Sequence, residues 1–395
     1  MNHQPPTIIL TGGGSGGHIT PLLSLARELK SQSPDCQIVY VGHKGDNFDT
    51  FKDNSHDFDF MVFINAGKFR RYHTSSRLAQ LFDLKTWALN IRDFFRLPAS
   101  IISSLRIMRR FKPSVVFSKG GFVAVPVGIA AKLSRVPIVT HDSDIVPGLA
   151  NRIVGRWAKV QATGMPAKHY AYRSDTVEYV GIPIDQRIKK VTPKIQNDYK
   201  KQLKLPPEST VLLLSGGGNG SRRLNELMTA ISRHLLESNL SLYIVHITGR
   251  THEESVKAGY RAVLPKDQLK RVVITGFTSD FYAYSAAADL IITRAGATTL
   301  AELAAAGKAC VIIPSPYLTG GHQLKNAEEL AKLDAAVVAG EAIEPDELLV
   351  TLSELLNNDH RRFELSRNLY STANPDAAAK LARLILKTAK PKTQK

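Results

Sequence analysis

The sequence predicts an α/β protein built on parallel sheets, and three features carry the prediction. Short apolar, β-branched runs alternate with helical stretches of about 10–15 residues, the pattern of strands covered by helices on both faces. The pattern occurs as two sets, and each opens with a strand running into a glycine-rich turn and a helix. These openings are Ile8-Ile-Leu-Thr-Gly-Gly-Gly-Ser-Gly-Gly-His18 and Val211-Leu-Leu-Leu-Ser-Gly-Gly-Gly-Asn-Gly220. The length, 395 residues, exceeds one ordinary core and suits two domains. Two Rossmann-like units in tandem follow, placed at residues 1–183 and 184–375.

In chain order, the first unit has strands expected at Thr7–Leu10, Gln37–Val41, Ser114–Phe117, Pro137–Thr140, Lys159–Ala162 and Thr176–Val180. An apolar, strand-like run also stands at Phe60–Ile64. Between 68 and 112, apolar and basic residues predict two helices separated by Pro98. The proline-containing stretch Gly181–Pro207 reads as the linker. The second unit then has strands at Thr210–Ser215, Leu242–Thr248, Arg271–Thr275, Leu290–Thr293 and Ala309–Ile313. A last helix at about 376–390 is a candidate to pack back on the first unit, and the basic tail 387–395 is expected to fray.

Composition narrows the class. Lys and Arg total 52 against 35 Asp and Glu, a net charge of +17, so the protein should seek anions: nucleic acid, an anionic membrane or phosphorylated substrates. No apolar run reaches the roughly 20 residues of a membrane-spanning helix. The first residues lack the charged and apolar segments of a secretory signal. Cys36 and Cys310 are far apart in apolar runs, which argues against a disulfide or a cysteine zinc site and for a reducing, cytoplasmic setting.

Gly12, Gly14 and Gly17 satisfy Gly-x-Gly-x-x-Gly between a strand and a helix, which lets backbone N–H groups approach an anion. The second strand ends Val39-Tyr-Val-Gly-His-Lys44, without the acid of a dinucleotide site. His18, at the helix start, is either a cap or a base in a site. In the second unit, Ala297, Thr298 and Thr299 lie where free helix N–H groups could meet a diphosphate. Glu302 completes a Thr299-x-x-Glu capping box or accepts hydrogen bonds from ribose hydroxyls. His322 and Asn326 share a helix face but lack an evident third metal ligand. Asp57-Phe-Asp59 matches a metal-binding pattern and precedes a strand, so it reads as incidental.

The stretch 68–112 interleaves Arg92, Arg96 and other basic residues with Trp87, Phe94, Phe95 and aliphatics. That mixture suits a helix lying on an anionic membrane surface. Part of it, particularly 101–111, must also enter the core. Nucleic-acid binding is disfavoured, since no recognition module is visible.

Together the segments resemble the MurG family, in family 28 of the glycosyltransferases. The landmarks are, in order, Thr11-Gly-Gly-Gly-Ser-Gly-Gly-His-Ile-Thr-Pro21; Gly67-Lys-Phe-Arg-Arg-Tyr72; Ser118-Lys-Gly-Gly-Phe-Val-Ala-Val-Pro126; His141-Asp-Ser-Asp-Ile-Val-Pro-Gly-Leu-Ala-Asn151; Gly216-Gly-Gly-Asn-Gly220; Arg294-Ala-Gly-Ala-Thr-Thr-Leu-Ala-Glu302; and Gly321-His-Gln-Leu-Lys-Asn-Ala327.

The resemblance implies a GT-B fold, two Rossmann-like domains whose parallel sheets face each other across a cleft. It implies an inverting transfer of GlcNAc from UDP-GlcNAc to the MurNAc 4-hydroxyl of undecaprenyl-linked lipid I, at the cytoplasmic face of the bacterial membrane. UDP-GlcNAc is then a substrate, and neither metal nor cofactor is required. Donor contacts are implied at Gly218, Asn219, Phe277, Arg294, Ala297, Thr298, Thr299, Glu302, Gln323 and Asn326. Acceptor contacts are implied at Gly14, Ser15, Gly16, Gly17, Gly120, Gly121, Asp142 and Asp144. His18 is the candidate base, with Asp142 and Asp144 as alternatives.

The chain departs from the family where His-Glu-Gln-Asn becomes His141-Asp-Ser-Asp144, where Gly-Asn-Pro-Val-Arg becomes Gly181-Ile-Pro-Ile-Asp185, and where Gly218 replaces a serine. Arg187 is the candidate replacement for the lost arginine. Competing readings keep the fold but use another lipid acceptor, epimerise a UDP-sugar, or bind one without turnover.

Overall fold

The computed structural model describes residues 5–13, 16–44, 57–68 and 84–389; for residues 16–19, 84–89, 91, 94 and 319 it describes the backbone alone. The chain divides into two compact units, 1–185 with 374–395, and 186–373.

The first unit runs β1 (Thr7–Thr11), α1 (Gly16–Gln32), β2 (Gln37–His43), β3 (Phe60–Ile64), α2 (Leu84–Phe111), β4 (Val115–Ser118), α3 (Ala124–Leu133), β5 (Ile138–Asp142), α4 (Leu149–Val154), β6 (Val160–Thr163) and β7 (Val177–Tyr179). Among the described residues these strands form one parallel sheet in the order β3-β2-β1-β4-β5-β6-β7. Both faces are buried, so the strands read as continuous apolar runs. Ile8 and Leu10 enter one cluster, and Ile9, between them, enters the other.

The second unit runs α5 (Pro193–Gln202), β8 (Thr210–Ser215), α6 (Arg222–Ser238), β9 (Leu242–Ile247), α7 (Glu253–Val263), β10 (Val272–Thr275), α8 (Phe281–Ala287), β11 (Leu290–Thr293), α9 (Ala297–Ala306), β12 (Cys310–Ile312), α10 (His322–Lys332), β13 (Val337–Val338), α11 (Pro345–Leu356) and α12 (Asp359–Ser371). Its sheet is parallel in the order β10-β9-β8-β11-β12-β13. Leu212 and Leu214 pack on one face, Val211 and Leu213 on the other.

Local chemistry sets the helix ends. Thr192 caps α5 by accepting from the Ile195 N–H, with Pro193 opening the helix. Ser221 caps α6 through the Leu224 N–H. Gly307 ends α9 at φ 63°. The last helix, α13 (Ala377–Thr388), belongs to the first unit. Its Leu381, Leu384 and Ile385 join Leu22, Leu25 and Leu29 of α1 in one cluster. Gln32 Nε2 donates to the Ala379 carbonyl at 3.0 Å.

One expectation is corrected. Pro98 does not split the 68–112 stretch: α2 is continuous across it. The proline sits on the exposed side of α2, where the carbonyl it leaves unpaired can be hydrated. The buried side of α2 carries Asp93, Ser100, Ser104, Ile107, Met108 and Phe111. Among the described residues no helix is long and apolar enough to cross a membrane.

Candidate functional site

In each sheet the strand order reverses beside the first strand of the set. The turns at that switch point leave the carboxyl ends of two strands that connect in opposite directions, which is where open α/β sheets bind ligands. In the first unit the switch lies between β1 and β4, in the second between β8 and β11.

At the first switch point, residues 12–13 lead from β1 toward α1, and Gly120–Gly121 follow β4. Tyr40 is fully buried and donates from its hydroxyl to the Gly12 carbonyl at 2.9 Å, holding the first turn from below. Gly121 has φ +82°, and a Cβ there would lie 2.5 Å from the Gly13 carbonyl oxygen. The structure therefore brings the turn after β4 onto the turn after β1. Gly16 and Gly17 open α1. Gly14 and Ser15 lie outside the described residues, as does the side chain of His18, the third residue of that helix.

Next to these turns lies a buried polar network that joins residues of two of the motifs to Tyr172. Ser118 Oγ donates to Asn151 Oδ1 at 2.9 Å and accepts from the Gly120 N–H. Asn151 Nδ2 donates to the His141 carbonyl and to Asp142 Oδ1. Asp142 also accepts from the Gly148 N–H and, at 2.8 Å, from the Tyr172 hydroxyl. Its carboxyl pKa is raised by burial, against those hydrogen bonds. With both oxygens engaged inside the fold, Asp142 is a fastening point and a poor candidate for the base.

Lys119 is buried as well, and its Nζ donates to Ser143 Oγ at 2.8 Å. Burial pulls its pKa down to about 8, while the carboxylates of Asp142 and Asp144 act to hold it up. Burial, and then the charge of Lys119, pull His141 down to about 3, and its Nε2–H donates to the Gly181 carbonyl at 2.8 Å.

At the second switch point, residues 216–220 follow β8. Gly217 and Gly218 have open space where a Cβ would stand, and Asn219 is exposed. Across the switch, α9 begins at Ala297 with Gly296 as its N-cap and no side-chain cap. The first-turn N–H groups of Ala297, Thr298 and Thr299 thus have no acceptor within the helix. This corrects the capping-box reading of Glu302, because Thr299 lies inside the helix. Glu302 is half-buried, one turn beyond Thr298 and Thr299 and on their face.

The loop after β12 leads into α10. Gln323 Oε1 accepts the Ser315 N–H at 2.9 Å, and no described residue accepts from its Nε2. Asn326 Nδ2 donates to the Ala295 carbonyl at 3.1 Å, tying α10 to the turn before α9. Phe277 is partly exposed beneath the Arg250 guanidinium, 3.8 Å from its ring centroid.

Two arginines of the second unit are engaged with its own residues. Arg294 is buried, and its guanidinium is committed to Glu341, Ser221 and the Ile313 carbonyl. Arg187 stacks on Tyr282 at 4.1 Å. It shares a cavity wall with Ala306, at the C-terminal end of α9. A ten-residue helix is about 15 Å long, so Arg187 stands nearer the end of α9 than the turn before it.

On α2, Arg92 and Arg96 both pair with the buried Asp93, at 3.1 and 3.2 Å. Phe95 is 72% exposed, and Ile102, seven residues on and on the same face, is 50% exposed. The side chains of Trp87 and Phe94 lie outside the described residues. Asp57 and Asp59 are spent on α1, pairing with Arg27 at 2.9 Å and Lys30 at 2.8 Å.

Comparison with known proteins bears on the whole chain. Residues 8–163 match the N-terminal domain of glycosyltransferase family 28, and residues 211–381 match its C-terminal domain. A UDP-N-acetylglucosamine–N-acetylmuramyl-(pentapeptide) pyrophosphoryl-undecaprenol N-acetylglucosamine transferase of Natranaerobius thermophilus is 31% identical over 381 residues, 96% of this chain and 98% of the relative. The transferase of the same name from Halothermothrix orenii is 32% identical over 97% of this chain and 99% of the relative. The crystal structure of Acinetobacter baumannii MurG superposes with a TM-score of 0.69 at 27% identity, covering 97% of this chain and 100% of that one. A UDP-GlcNAc 2-epimerase of Neisseria meningitidis, bound to UDP-GlcNAc, shares the fold at TM-score 0.67 and 12% identity, over 96% of this chain and 100% of that one.

Proposed function

The chain belongs to the MurG family of family 28 glycosyltransferases, and from that premise we propose that it moves GlcNAc from UDP-GlcNAc to the MurNAc 4-hydroxyl of undecaprenyl-linked lipid I, making lipid II for peptidoglycan. The observation that carries the proposal is the similarity to transferases of that name, which runs over nearly the full length of both chains.

The reaction is one inverting displacement. The acceptor oxygen bonds to the anomeric carbon, the bond from that carbon to the diphosphate oxygen breaks on the opposite face, and UDP leaves with the electron pair. His18 takes the hydroxyl proton. The first-turn N–H groups of α9 meet the diphosphate, where the helix dipole favours the charge that develops on leaving. No divalent cation is needed for that role, and UDP-GlcNAc is a substrate, not a cofactor. Glu302 accepts from the ribose hydroxyls. Gln323 Nε2 and Asn326 hold the sugar, and Phe277 lies by the uracil. The glycine turns of the first unit hold the acceptor diphosphate, with Asp142 and Lys119 fixing them from within.

The exposed side of α2 suits an anionic membrane surface. Phe95 and Ile102 stand among exposed Arg92, Arg106, Arg109 and Arg110, so apolar insertion and charge attraction act together. Arg92 and Arg96 are partly neutralised by Asp93, which leaves more of the attraction to Arg106, Arg109 and Arg110.

A second reading is favoured by the departures at 142–144, which lie in the acceptor half: the same donor with a different lipid acceptor, such as diacylglycerol. Competition tests both. Lipid I analogue and diacylglycerol are offered together with UDP-GlcNAc in anionic vesicles. Glycosylation of the lipid I analogue alone supports the proposal, and glycosylation of diacylglycerol replaces it with the second reading.

A further inference from the structure

Arg294 stands at the carboxyl end of β11, directly before the turn that starts α9. Its guanidinium touches three other loops of the second unit. Nη2 donates to Ser221 Oγ at 2.6 Å, and Ser221 is both the N-cap of α6 and the residue that closes the 216–220 turn. Nη1 donates to the Ile313 carbonyl at 2.9 Å, at the start of the loop that leads to Gln323. Both nitrogens bond Glu341, with Nη2 at 2.9 Å from Oε1.

Glu341 lies in the short turn after β13. That turn is anchored by the Ala339 N–H on the Ile312 carbonyl and by Arg223, which donates to the Ile343 carbonyl at 2.6 Å. A bidentate carboxylate fixes both the direction and the plane of a guanidinium. Without it the Arg294 cation would stay buried with only neutral acceptors, a costly arrangement that favours swinging away.

We infer that Glu341 is a positioning residue of the donor site, acting through Arg294 to hold the 216–220 turn, the start of α9 and the loop before α10 in one arrangement. The inference rests on the donor reading of this unit. Glu341 itself belongs to none of the motifs and, of the residues that the family resemblance implies for the donor, touches Arg294.

The test is binding of UDP and UDP-GlcNAc by calorimetry, with donor and acceptor KM values measured separately, for the wild type, Glu341→Ala and Glu341→Asp. The expected result is a rise of at least tenfold in UDP Kd and donor KM for Glu341→Ala, an unchanged acceptor KM, and partial recovery in Glu341→Asp. In the double variant Arg294→Met/Glu341→Leu, which removes the buried charge, thermal stability should recover while donor affinity stays low. If Glu341→Ala does not fold, Glu341→Gln and the double variant carry the same expectation.

A donor KM within twofold of wild type, or tighter UDP binding, would overturn the inference. Tighter binding would mean that Glu341 merely masks the Arg294 charge. A wild type that binds no UDP would overturn the donor reading itself, and the inference with it.

Discussion

Gly121 seats directly on Gly13: a side chain on the first would drive its Cβ to 2.5 Å from the carbonyl oxygen of the second. Gly121 also holds φ +82°, which an L-residue adopts only under strain. Gly121→Ala should destabilise the first unit by about 2 kcal/mol or more, since strain and a backbone clash add. It should lower kcat/KM for the acceptor while UDP affinity holds. Denaturant unfolding and steady-state kinetics check both effects.

Glu302 is not part of a helix cap, because Gly296 is the N-cap of α9. Glu302→Ala therefore removes no helix cap. It should raise donor KM by roughly 10- to 100-fold, the size of one or two hydrogen bonds to a charged group. A drop in melting temperature with normal donor kinetics would return the residue to a structural role.

His18→Ala should lower kcat by about 10²- to 10⁴-fold, the usual contribution of a general base. UDP affinity should stay the same, because the donor contacts lie in the other unit. Near-normal kcat would remove His18 as the base.

Acid should unfold both units. His141 in the first unit and His246 in the second are buried and neutral, each held at about 3 where an unfolded histidine sits at 6.5, with burial the leading cause. Below pH 6.5 the unfolded chain takes up protons that the folded chain refuses. Stability is therefore complete above that pH and falls toward pH 3, by about 1.4 kcal/mol per pH unit for each histidine. His246→Gln loses the bonds to the Tyr260 hydroxyl and Asn225 Oδ1, both 2.9 Å, so it should be weaker at neutral pH. Its pH dependence in the second unit should be flatter across that window. Denaturation midpoints measured from pH 7 to pH 4 decide it.

The sheets were legible because parallel strands buried on both faces leave continuous apolar runs, as in Val211–Leu214 and Leu290–Ile292. β13 was not, since Val337–Val338 is too short to show a period. Pro98 leaves α2 unbroken because the cost of a helix proline depends on whether the freed carbonyl can meet water. The Thr299-x-x-Glu302 spacing makes no capping box because the helix starts earlier, at Ala297. The glycine turns could be read as anion sites from local sequence alone. The contacts that fix them could not. Asp142–Tyr172, Tyr40–Gly12 and Arg294–Glu341 join residues about 30 to 50 positions apart that follow no periodicity.

The most direct measurement is transfer of radiolabelled GlcNAc from UDP-GlcNAc to a short-chain lipid I analogue, run without added metal and again with chelator. Label should appear in a disaccharide lipid at equal rates in both. Donor bound without any label transferred would contradict the transferase assignment, and transfer abolished by chelator would contradict the metal-free role given to the start of α9.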